Sequence, residues 1–269
     1  MGIFAHRQVM THTGSGRLVK STIRSLRILE YVEEQGSVRL TDVASEFDIG
    51  HSTAHNHLVT LEHEGVLVRR DGRYSLGMKF LKHGVSATQS IPYIEVIRRN
   101  VLELAERLEL EIEFLVEEHG RVVSVIDTGY KFTKYPTADS NLNVGTFYPM
   151  GCTASGKAIL AAMSESDVEE VLDEWGLPES TQYSITSREV LSEELEQVRE
   201  RGYSSAKQEI VEGFDNIGVV ITGPDGTIIG AITVGWPSYH FETSVPHQIV
   251  DQLLHTKEAI EAEMQTTEA

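Results

Sequence analysis

One stretch decides the fold of the first part of this 269-residue chain: Ser52-Thr-Ala-His-Asn-His-Leu-Val-Thr-Leu-Glu-His-Glu-Gly-Val-Leu-Val-Arg-Arg-Asp-Gly-Arg-Tyr74. Its apolar residues Ala54, Leu58 and Leu61 recur at the spacing of one face of an α-helix. Gly65 is typical of the residue that follows the last turn of a helix, because glycine adopts a positive φ without strain. The dipeptide Asp71-Gly72 is typical of a two-residue β-hairpin turn. The stretch therefore predicts a helix followed by two short antiparallel strands.

The polar side chains of this stretch have the chemistry that binds DNA. Hydroxyl, amide and imidazole groups occupy the first turns of the helix, where they can reach base edges or phosphate. Arginines flank the hairpin turn, where a wing contacts phosphate. We therefore predict a DNA-binding set that consists of Thr41, His51, Ser52, Thr53, His55, Asn56, His57, Arg69, Arg70 and Arg73.

Two further helices are predicted before this one. Lys20–Gln35 carries an apolar stripe and is followed by Gly36. A second helix is predicted from Asp42 to Phe47, with Thr41 as its N-cap. Three helices and a hairpin within about sixty residues predict a winged helix-turn-helix. The buried stripe of the first helix is predicted to be Ile23, Leu26, Ile28, Leu29 and Val32.

Charge is distributed unevenly along the chain. A net charge of −18 at pH 7 is unusual for a nucleic-acid-binding protein, whose surface is normally basic. Residues 1–80 contain ten Lys and Arg against nine Asp and Glu, whereas the remaining residues contain 13 against 32. The acidity therefore belongs to the second part. Together with 15 Arg against 8 Lys, it fits a salt-loving host as well as an ordinary one.

Composition is that of a soluble globular protein, with 40% apolar and 24% charged residues. No run of eighteen apolar residues occurs and the first residues lack the apolar segment of a signal peptide, so we expect a cytoplasmic protein without membrane contact. The single cysteine, Cys152, excludes an internal disulfide framework. The length allows two ordinary domains.

Two helices are predicted between the hairpin and the second half, from Gly77 to Ala87 and from Tyr93 to Leu108. The second follows Pro92 and has an apolar face. Such a face packs either against a twin in a dimer or against the chain's own second domain, and the sequence leaves both open. The face consists of Ile94, Ile97, Val101, Leu104 and Leu108.

The second half predicts one antiparallel sheet with helices beside it, so that the whole chain is of the α+β class. Strands are predicted at 112–116, 122–127, 146–150, 217–222 and 228–234. Helices are predicted at 153–163, 167–175, 188–201 and 246–264. A curved sheet of this kind can hold a small ligand on one face.

Three groups of motifs, in order along the chain, resemble those of IclR-type transcriptional regulators. The first is Leu26-Arg27-Ile28-Leu29, then His51-Ser52-Thr53-Ala54-His55, then Tyr74-Ser75-Leu76-Gly77. The second runs from Pro149 to Ala158, and the third comprises Arg201-Gly202-Tyr203, Glu209 and Glu212-Gly213-Phe214. The resemblance extends from Lys20 to the last helix. It implies a winged helix-turn-helix, a linker helix and a GAF-like effector-binding domain, acting as a dimer or tetramer on near-palindromic operator DNA.

The resemblance also implies where a small-molecule effector binds. One wall would be the turn at Met150, Gly151, Thr153 and Ala154, where backbone N–H groups at a helix start suit an anion. The far wall would be Asn216, Thr233 and Gly235. These three residues, and Ala206, differ from those of many relatives, so we expect recognition to depart from the usual carboxylate form. Trp236, Tyr239 and Phe241 either cover the ligand as an aromatic lid or pack at a strand end.

Other chemical sites have simpler explanations. His51 and His55 have the i, i+4 spacing of a metal pair, but no third ligand is near in sequence, so we expect no metal. Cys152 begins a helix like an activated thiol, yet no histidine is close in sequence, which favours a small buried residue. No Gly-x-Gly-x-x-Gly turn occurs, and we expect no dinucleotide or other cofactor. A hydrolase that uses Cys152 and a constitutive architectural DNA-binding protein remain as alternatives.

We therefore predict a non-enzymatic, ligand-responsive regulator of a catabolic operon. The domains are predicted as a disordered lead at 1–16, the winged helix-turn-helix at 17–80, linker helices at 81–108 and the effector-binding domain at 109–269. Sugar or sugar-acid degradation is the first hypothesis for the pathway, because Asn216, Thr233 and the aromatic segment suit such a ligand. Aromatic-acid degradation is the alternative.

Overall fold

The computed structural model describes residues 17–129, 143–241 and 246–267. The chain divides into two compact units, at residues 1–90 and 91–269. The predicted disordered lead at 1–16 lies outside the described residues.

The first unit has the three helices and hairpin that the sequence predicts. The helices are α1 (Lys20–Gln35), α2 (Leu40–Glu46) and α3 (His51–His63). The hairpin strands are β1 (Leu67–Arg70) and β2 (Arg73–Leu76), and α4 (Lys79–Gln89) follows them. Their core consists of Ile28, Val32, Val38, Val43, Ala44, Ala54, Leu58, Leu61, Leu67 and Tyr74. The winged helix-turn-helix is confirmed.

Local hydrogen bonds explain how α3 passes into the hairpin. Gly65 has a φ of +72°, its N–H donates to the Glu62 carbonyl, and the Val66 N–H donates to the Leu61 carbonyl. These two bonds form a Schellman motif, which ends a helix. Asp71 and Gly72 both have positive φ, as a type I′ hairpin turn requires. Both turn predictions are confirmed.

Two details of the first unit differ from the predictions. Leu26 is 55% exposed rather than part of the buried stripe, because it lies two residues before Ile28 and so points to nearly the opposite side of α1. Thr41 is not the N-cap of α2, since the helix begins at Leu40. The Asp42 carboxylate accepts the Arg39 N–H at 2.7 Å and performs the capping instead.

The second unit is built on one six-stranded antiparallel sheet, in the order β5-β4-β3-β8-β7-β6. Its strands are β3 (Glu111–Glu118), β4 (Arg121–Asp127), β5 (Phe147–Pro149), β6 (Ser204–Lys207), β7 (Phe214–Thr222) and β8 (Ile228–Pro237). Its helices are α5 (Ile94–Leu108), α6 (Ala154–Ala162), α7 (Glu165–Trp175), α8 (Arg188–Arg201) and α9 (His247–Thr267), with a 3-10 turn at Met150–Cys152. The mixed α+β class is confirmed. Strand β6 was not predicted, since Ser204–Lys207 has no run of apolar residues.

Helices cover both faces of this sheet. One face packs on α5 and α9 through Ile112, Phe114, Val219, Ile232 and Val234. The other face packs on α6, with α7 and α8 beyond it. Within the described residues, no helix has the length and apolarity needed to span a membrane.

The apolar face of α5 packs within its own unit. Ile97, Val101 and Leu104 are completely buried in the core that α5 shares with the sheet and α9. Of the two arrangements that the sequence left open for this helix, the structure therefore shows packing on the chain's own second unit. Helix α4 falls in the first unit and α5 in the second. The assignment of residues 81–108 to a linker stays a prediction.

Candidate DNA interface and effector site

Helix α3 presents a polar face to solvent. His51, Ser52, His55 and Asn56 are exposed and Thr53 is half-buried. Ala54 and Leu58 point the other way and are completely buried. The 3.6-residue period of the helix thus separates a packed face from an exposed face that carries hydrogen-bonding groups. This arrangement leaves four of the predicted α3 residues available to a groove of DNA.

His57 faces the interior of the first unit. Its Nδ1 lies 2.8 Å from the Ser25 hydroxyl of α1. Burial, and secondly the charge of Arg24, lower the pKa of His57 from its usual value. A neutral imidazole that is hydrogen-bonded to a neighbouring helix serves packing, so we leave His57 out of the proposed interface.

The three hairpin arginines differ in their surroundings. Arg69 and Arg70 are exposed, and the guanidinium of Arg69 lies over the Tyr74 ring at 5.4 Å from its centroid. Arg73 is half-buried, and it donates from Nε to the Ser37 hydroxyl at 2.9 Å and from Nη2 to the Ser37 carbonyl at 2.6 Å. Arg69 and Arg70 can therefore contact phosphate, whereas Arg73 fastens the hairpin to the α1–α2 connection.

Thr41 stays exposed at the start of α2. Its hydroxyl donates to the Asp42 carboxylate at 3.3 Å, a weak contact that leaves it available to another acceptor. Its proposed role is therefore a phosphate contact rather than a cap.

Register places three of the predicted effector residues on one face of the sheet. Asn216 pairs with Gly235 across β7 and β8, and Gly235 pairs with Glu111 of β3. One row along, Thr233 lies between Gly218 of β7 and Glu113 of β3. Because directly paired residues of a sheet share a face, Asn216, Thr233 and Gly235 lie together on the α6 side. We call this the polar sheet face, defined by Asn216, Thr233, Gly235, Glu111, Glu113 and Asp127.

The turn before α6 is used mainly for packing and capping. Thr153 is the N-cap of α6, because its hydroxyl accepts the Gly156 N–H at 3.1 Å. Met150 is buried among apolar side chains, and a Cβ on Gly151 would lie 2.4 Å from Leu177. The Ala154 backbone approaches the same side of the sheet, since its carbonyl oxygen lies 3.1 Å from the position of a Cβ on Gly218. One of the N–H groups expected to bind an anion is therefore already satisfied.

Three acidic residues of the polar sheet face were missed from the sequence. Glu113 pairs directly with Asp127 of β4. The carboxylate of Glu111 and that of Asp127 lie 3.0 and 3.1 Å from one point, the position of a Cβ on Gly129. The alternation Glu111-Ile112-Glu113-Phe114 was the available signal, because a period of two puts both acids on the face opposite to Ile112 and Phe114.

Burial and mutual repulsion alter the ionisation of these acids. Burial, and secondly the charge of Asp127, raise the pKa of Glu111 to about 7. Burial, then the charges of Glu111 and Asp127, raise the pKa of Glu113 well above its usual value. The Ser124 hydroxyl donates to Glu113 at 2.9 Å and opposes this shift. The phenol of Tyr148 on β5 has its pKa raised by burial and by the same three carboxylates.

The aromatic residues near this face differ in their positions and contacts. A Cβ on Gly235 would lie 2.6 Å from the Phe214 ring, so the glycine makes room for that ring. Trp236 is 2% exposed and packs edge-to-face on Phe241, at 5.4 Å between centroids, in the core on the opposite face. Tyr239 is exposed. The interpretation of Trp236 as part of an aromatic lid is therefore wrong, and packing at a strand end explains it.

Cys152 is a buried, protonated thiol. Burial raises its pKa to about 11, and its Sγ lies 3.8 Å from both the Ser180 hydroxyl and the Pro149 carbonyl. A thiol in this state is a poor nucleophile at neutral pH. Nearby, Lys157 and Glu209, both part of the sequence motifs, form a buried ion pair at 2.7 Å. Within residues 17–129, 143–241 and 246–267, no three His, Cys, Asp or Glu side chains are arranged to hold a metal ion.

Comparison with known proteins agrees with this organisation. Residues 21–71 match the IclR helix-turn-helix domain, and residues 85–262 match the family described as bacterial transcriptional regulator IclR C-terminal. The chain belongs to the IclR family of transcriptional regulators. Its homologues are regulators rather than enzymes.

Individual IclR-family members resemble the chain over most of its length. The HTH-type transcriptional regulator KdgR of Escherichia coli is 26% identical over 250 residues, which cover 91% of this chain and 93% of that protein. The crystal structure of the Thermotoga maritima IclR aligns with a TM-score of 0.75 at 23% identity, covering 91% of this chain and 98% of that one. An IclR homologue from Microbacterium hydrocarbonoxydans, solved in complex with 4-hydroxybenzoate, aligns with a TM-score of 0.76 at 22% identity, covering 91% and 99%.

Proposed function

We propose that this IclR-family regulator works in the cytoplasm and controls a catabolic operon by binding its operator through α3 and the hairpin. The observation that supports the proposal most directly is the exposed polar face of α3, in the same unit as the two exposed arginines Arg69 and Arg70. Asn56 on this face can pair bidentately with adenine, and the arginines supply phosphate contacts. The unit that carries them is close to neutral rather than acidic.

The regulated pathway is proposed to be sugar or sugar-acid degradation. The similarity to KdgR supports this choice. Aromatic-acid degradation is the second candidate, supported by the related protein that was solved with 4-hydroxybenzoate. In both cases the second unit is the receptor, and its polar sheet face with Asn216, Thr233 and Gly235 is the proposed effector site.

Effector binding is proposed to act through thermodynamic linkage. An effector alters DNA affinity only if it binds the DNA-bound and free conformations with different affinities. The coupling is reciprocal, so the operator changes effector affinity by the same factor. Couplings of this kind are typically about 5- to 150-fold in affinity.

Homo-oligomerisation is proposed to involve α4. Met78, Leu81 and Val85 are spaced i, i+3 and i+7, and all three are exposed. Burying this stripe against a second copy removes apolar surface from water. A dimer presents two recognition helices about one DNA turn apart, roughly 34 Å, so the operator is expected to be a near-palindrome.

The proposal is tested with purified intact protein and fragmented DNA of its host. Fragments retained by the protein are sequenced and then footprinted. We expect a few sequences with two symmetric half-sites, retained by the wild type and lost with Arg69→Ala combined with Arg70→Ala. Retention of all fragments alike would refute an operator-specific regulator, and protection of one asymmetric half-site would refute the dimer.

A further inference from the structure

The histidines of α3 differ in their surroundings. His57 turns inward to a serine of α1, and the ring of His63 lies 3.1 Å from the carboxylate of the residue that follows it. His51 and His55 are exposed, and within the described residues neither side chain takes part in an ion pair or a hydrogen bond. Their imidazole rings are therefore open to a ligand that approaches α3 from solvent.

Helical spacing places His51 and His55 side by side. Residues four positions apart lie one turn above each other on a helix, with about 6 Å between their Cβ atoms. Ser52 and Asn56, one position further along, are also exposed. The two imidazole rings thus border the part of α3 that is proposed to meet DNA.

The first part of the chain has little positive charge for a polyanion. Residues 1–80 contain ten Lys and Arg against nine Asp and Glu, a net charge of +1 with neutral histidines. In the hairpin, Arg73 is bonded to Ser37, which leaves Arg69 and Arg70 exposed. Neutralisation of phosphates by cationic side chains supplies most of the non-specific affinity for DNA. Two protons on His51 and His55 raise the net charge of this part from +1 to +3.

We propose that His51 and His55 bind DNA phosphates as imidazolium cations, so that this regulator takes up protons when it binds DNA. The inference rests on the proposed function and specifies the chemistry of its DNA interface. Histidine is the side chain whose charge ordinarily changes between pH 5 and 8. A neutral imidazole has one N–H donor, whereas an imidazolium has two donors and a full positive charge. Phosphate therefore favours the protonated form, and DNA affinity falls as the pH rises.

The start of α3 attracts a phosphate to the place where His51 lies. Gly50 precedes the helix, and no side chain caps the first N–H groups of α3. Uncapped N–H groups at a helix start carry partial positive charge and suit a phosphate oxygen. A phosphate bound there is next to the first histidine and one turn away from the second.

The charged groups around α3 leave both histidines without a partner. The elements packed against α3 are α2, β1 and, through the Ser25–His57 contact, α1. The charged side chains of these elements near α3, of α3 itself and of its flanking turns are Arg24, Asp42, Glu46, Asp48, Glu62, Glu64, Arg69 and Arg70. Among the described ion pairs, none joins these groups to His51 or His55. The anion that pairs with a protonated ring must therefore come from outside the first unit.

The test measures the affinity of the intact protein for a duplex of mixed sequence, about 30 base pairs long, at pH 6 and pH 8. Linkage changes the affinity by up to about tenfold per pH unit for each proton taken up. We expect the affinity to be at least about tenfold higher at pH 6 than at pH 8. The slope of log affinity against log salt is expected to steepen by about 0.9 for each imidazolium that contacts phosphate.

Calorimetry counts the protons directly. The measured binding enthalpy depends on the ionisation enthalpy of the buffer in proportion to the number of protons exchanged. At pH 7, we expect the wild type to take up about one to two protons per protomer.

Two replacements at the same positions separate charge from hydrogen bonding. His51→Gln with His55→Gln keeps polar side chains without a titratable charge, so we expect it to bind at pH 6 as weakly as the wild type binds at pH 8. His51→Lys with His55→Lys carries permanent charges, so we expect it to bind at pH 8 at least as tightly as the wild type binds at pH 6. Proton uptake is expected to be lost in both variants.

The matched control is His247→Gln with His255→Gln, which removes two exposed histidines of α9 in the second unit. This variant is expected to keep the pH dependence and the proton uptake of the wild type. Three results would overturn the inference: an affinity that is equal at pH 6 and pH 8, a pH dependence that persists in the glutamine variant of α3, or one that is lost in the α9 control.

Selective retention of host DNA fragments is measured in parallel. A protein that retains operator fragments with an affinity independent of pH refutes the inference alone. A protein that binds neither the duplex nor any fragment selectively, at pH 6 or at pH 8, refutes the proposed function.

Discussion

Glu111 is the residue whose ionisation reports most directly on the polar sheet face. Its folded pKa of about 7 exceeds its usual value of 4.5, so the folded protein holds a proton that the unfolded chain releases between those values. The contribution of Glu111 to the free energy of unfolding is fully present below pH 4.5 and is lost as the pH rises to 7. Burial of this carboxyl, and secondly the charge of Asp127, thus make the protein less stable at neutral pH.

The first prediction concerns this pH dependence. We expect the free energy of unfolding of the second unit to fall by about 1–3 kcal/mol between pH 4.5 and 7, measured by urea denaturation. Glu111→Gln is expected to flatten that part of the profile, whereas Glu103→Gln leaves it unchanged. A wild-type profile that rises over this range would contradict the arrangement of the acids.

The second prediction separates the hairpin arginines. Arg69→Ala with Arg70→Ala is expected to weaken operator binding, to reduce the slope of log affinity against log salt by about 2, and to leave the unfolding temperature unchanged. Arg73→Ala is expected to cost about 1–2 kcal/mol of stability, because two bonds to Ser37 are lost. Fluorescence anisotropy and thermal unfolding give the two quantities. Equal loss of DNA affinity in both variants, with no loss of stability in Arg73→Ala, would contradict this division.

At the scale of elements, α6 is held against its neighbours by glycine. A Cβ on Gly156 would lie 2.3 Å from Met150 Cα and from the Met150 carbonyl oxygen, both of them backbone atoms that cannot easily shift. On the other side, Gly218 allows β7 to approach the Ala154 backbone. The helix therefore sits close enough to the sheet for the Ala154 backbone to lie against β7.

The third prediction is that Gly156→Ala destabilises the second unit by about 3 kcal/mol or more, through overpacking against backbone. Gly84→Ala is the matched control, since Gly84 lies within α4 and a Cβ there meets nothing within 4 Å. That change is expected to stabilise by about 0.5–1 kcal/mol, because alanine loses less conformational entropy in a helix. Denaturant midpoints compare the two variants. A midpoint for Gly156→Ala that is no lower than that for Gly84→Ala would refute the close approach.

Elements with strong local signals could be predicted from the sequence. The bounds of α1 and α8, the Gly65 helix end and the Asp71-Gly72 turn follow from spacing and from residues that favour one conformation. Strand β6 could not be found this way, because Ser204–Lys207 is ordered by pairing with β7 rather than by an apolar pattern. The start of α2 was misplaced because the cap is made by Asp42, from within the helix.

The residues of the candidate sites also differ in how far the sequence alone could predict them. The exposed residues of α3 follow from helical periodicity alone, but the inward orientation of His57 depends on Ser25, which lies far away in sequence. Asn216, Thr233 and Gly235 were predicted through the family resemblance, and their role in binding an effector stays a prediction. The proximity of Glu111 and Glu113 to Asp127 and Thr233 could not be predicted, because it depends on the register between strands. The sequence of a single strand does not reveal that register.

At the scale of the whole molecule, the two parts of the chain differ in net charge. Residues 1–80 are nearly neutral and carry the exposed Arg69 and Arg70 for a polyanion, whereas the remaining residues hold almost all of the excess acid. Reciprocal linkage then predicts that operator DNA and effector alter each other's affinity by one factor.

The role proposed for this protein is transcriptional regulation of a catabolic operon. Its most direct test is genome-wide occupancy of the tagged protein in its host, combined with transcript levels in a deletion strain grown on several carbon sources. We expect a few sharp peaks upstream of a catabolic operon, a change in that operon's transcript on deletion, and loss of the peaks with Arg69→Ala and Arg70→Ala. Absence of peaks on every carbon source would refute the proposed role.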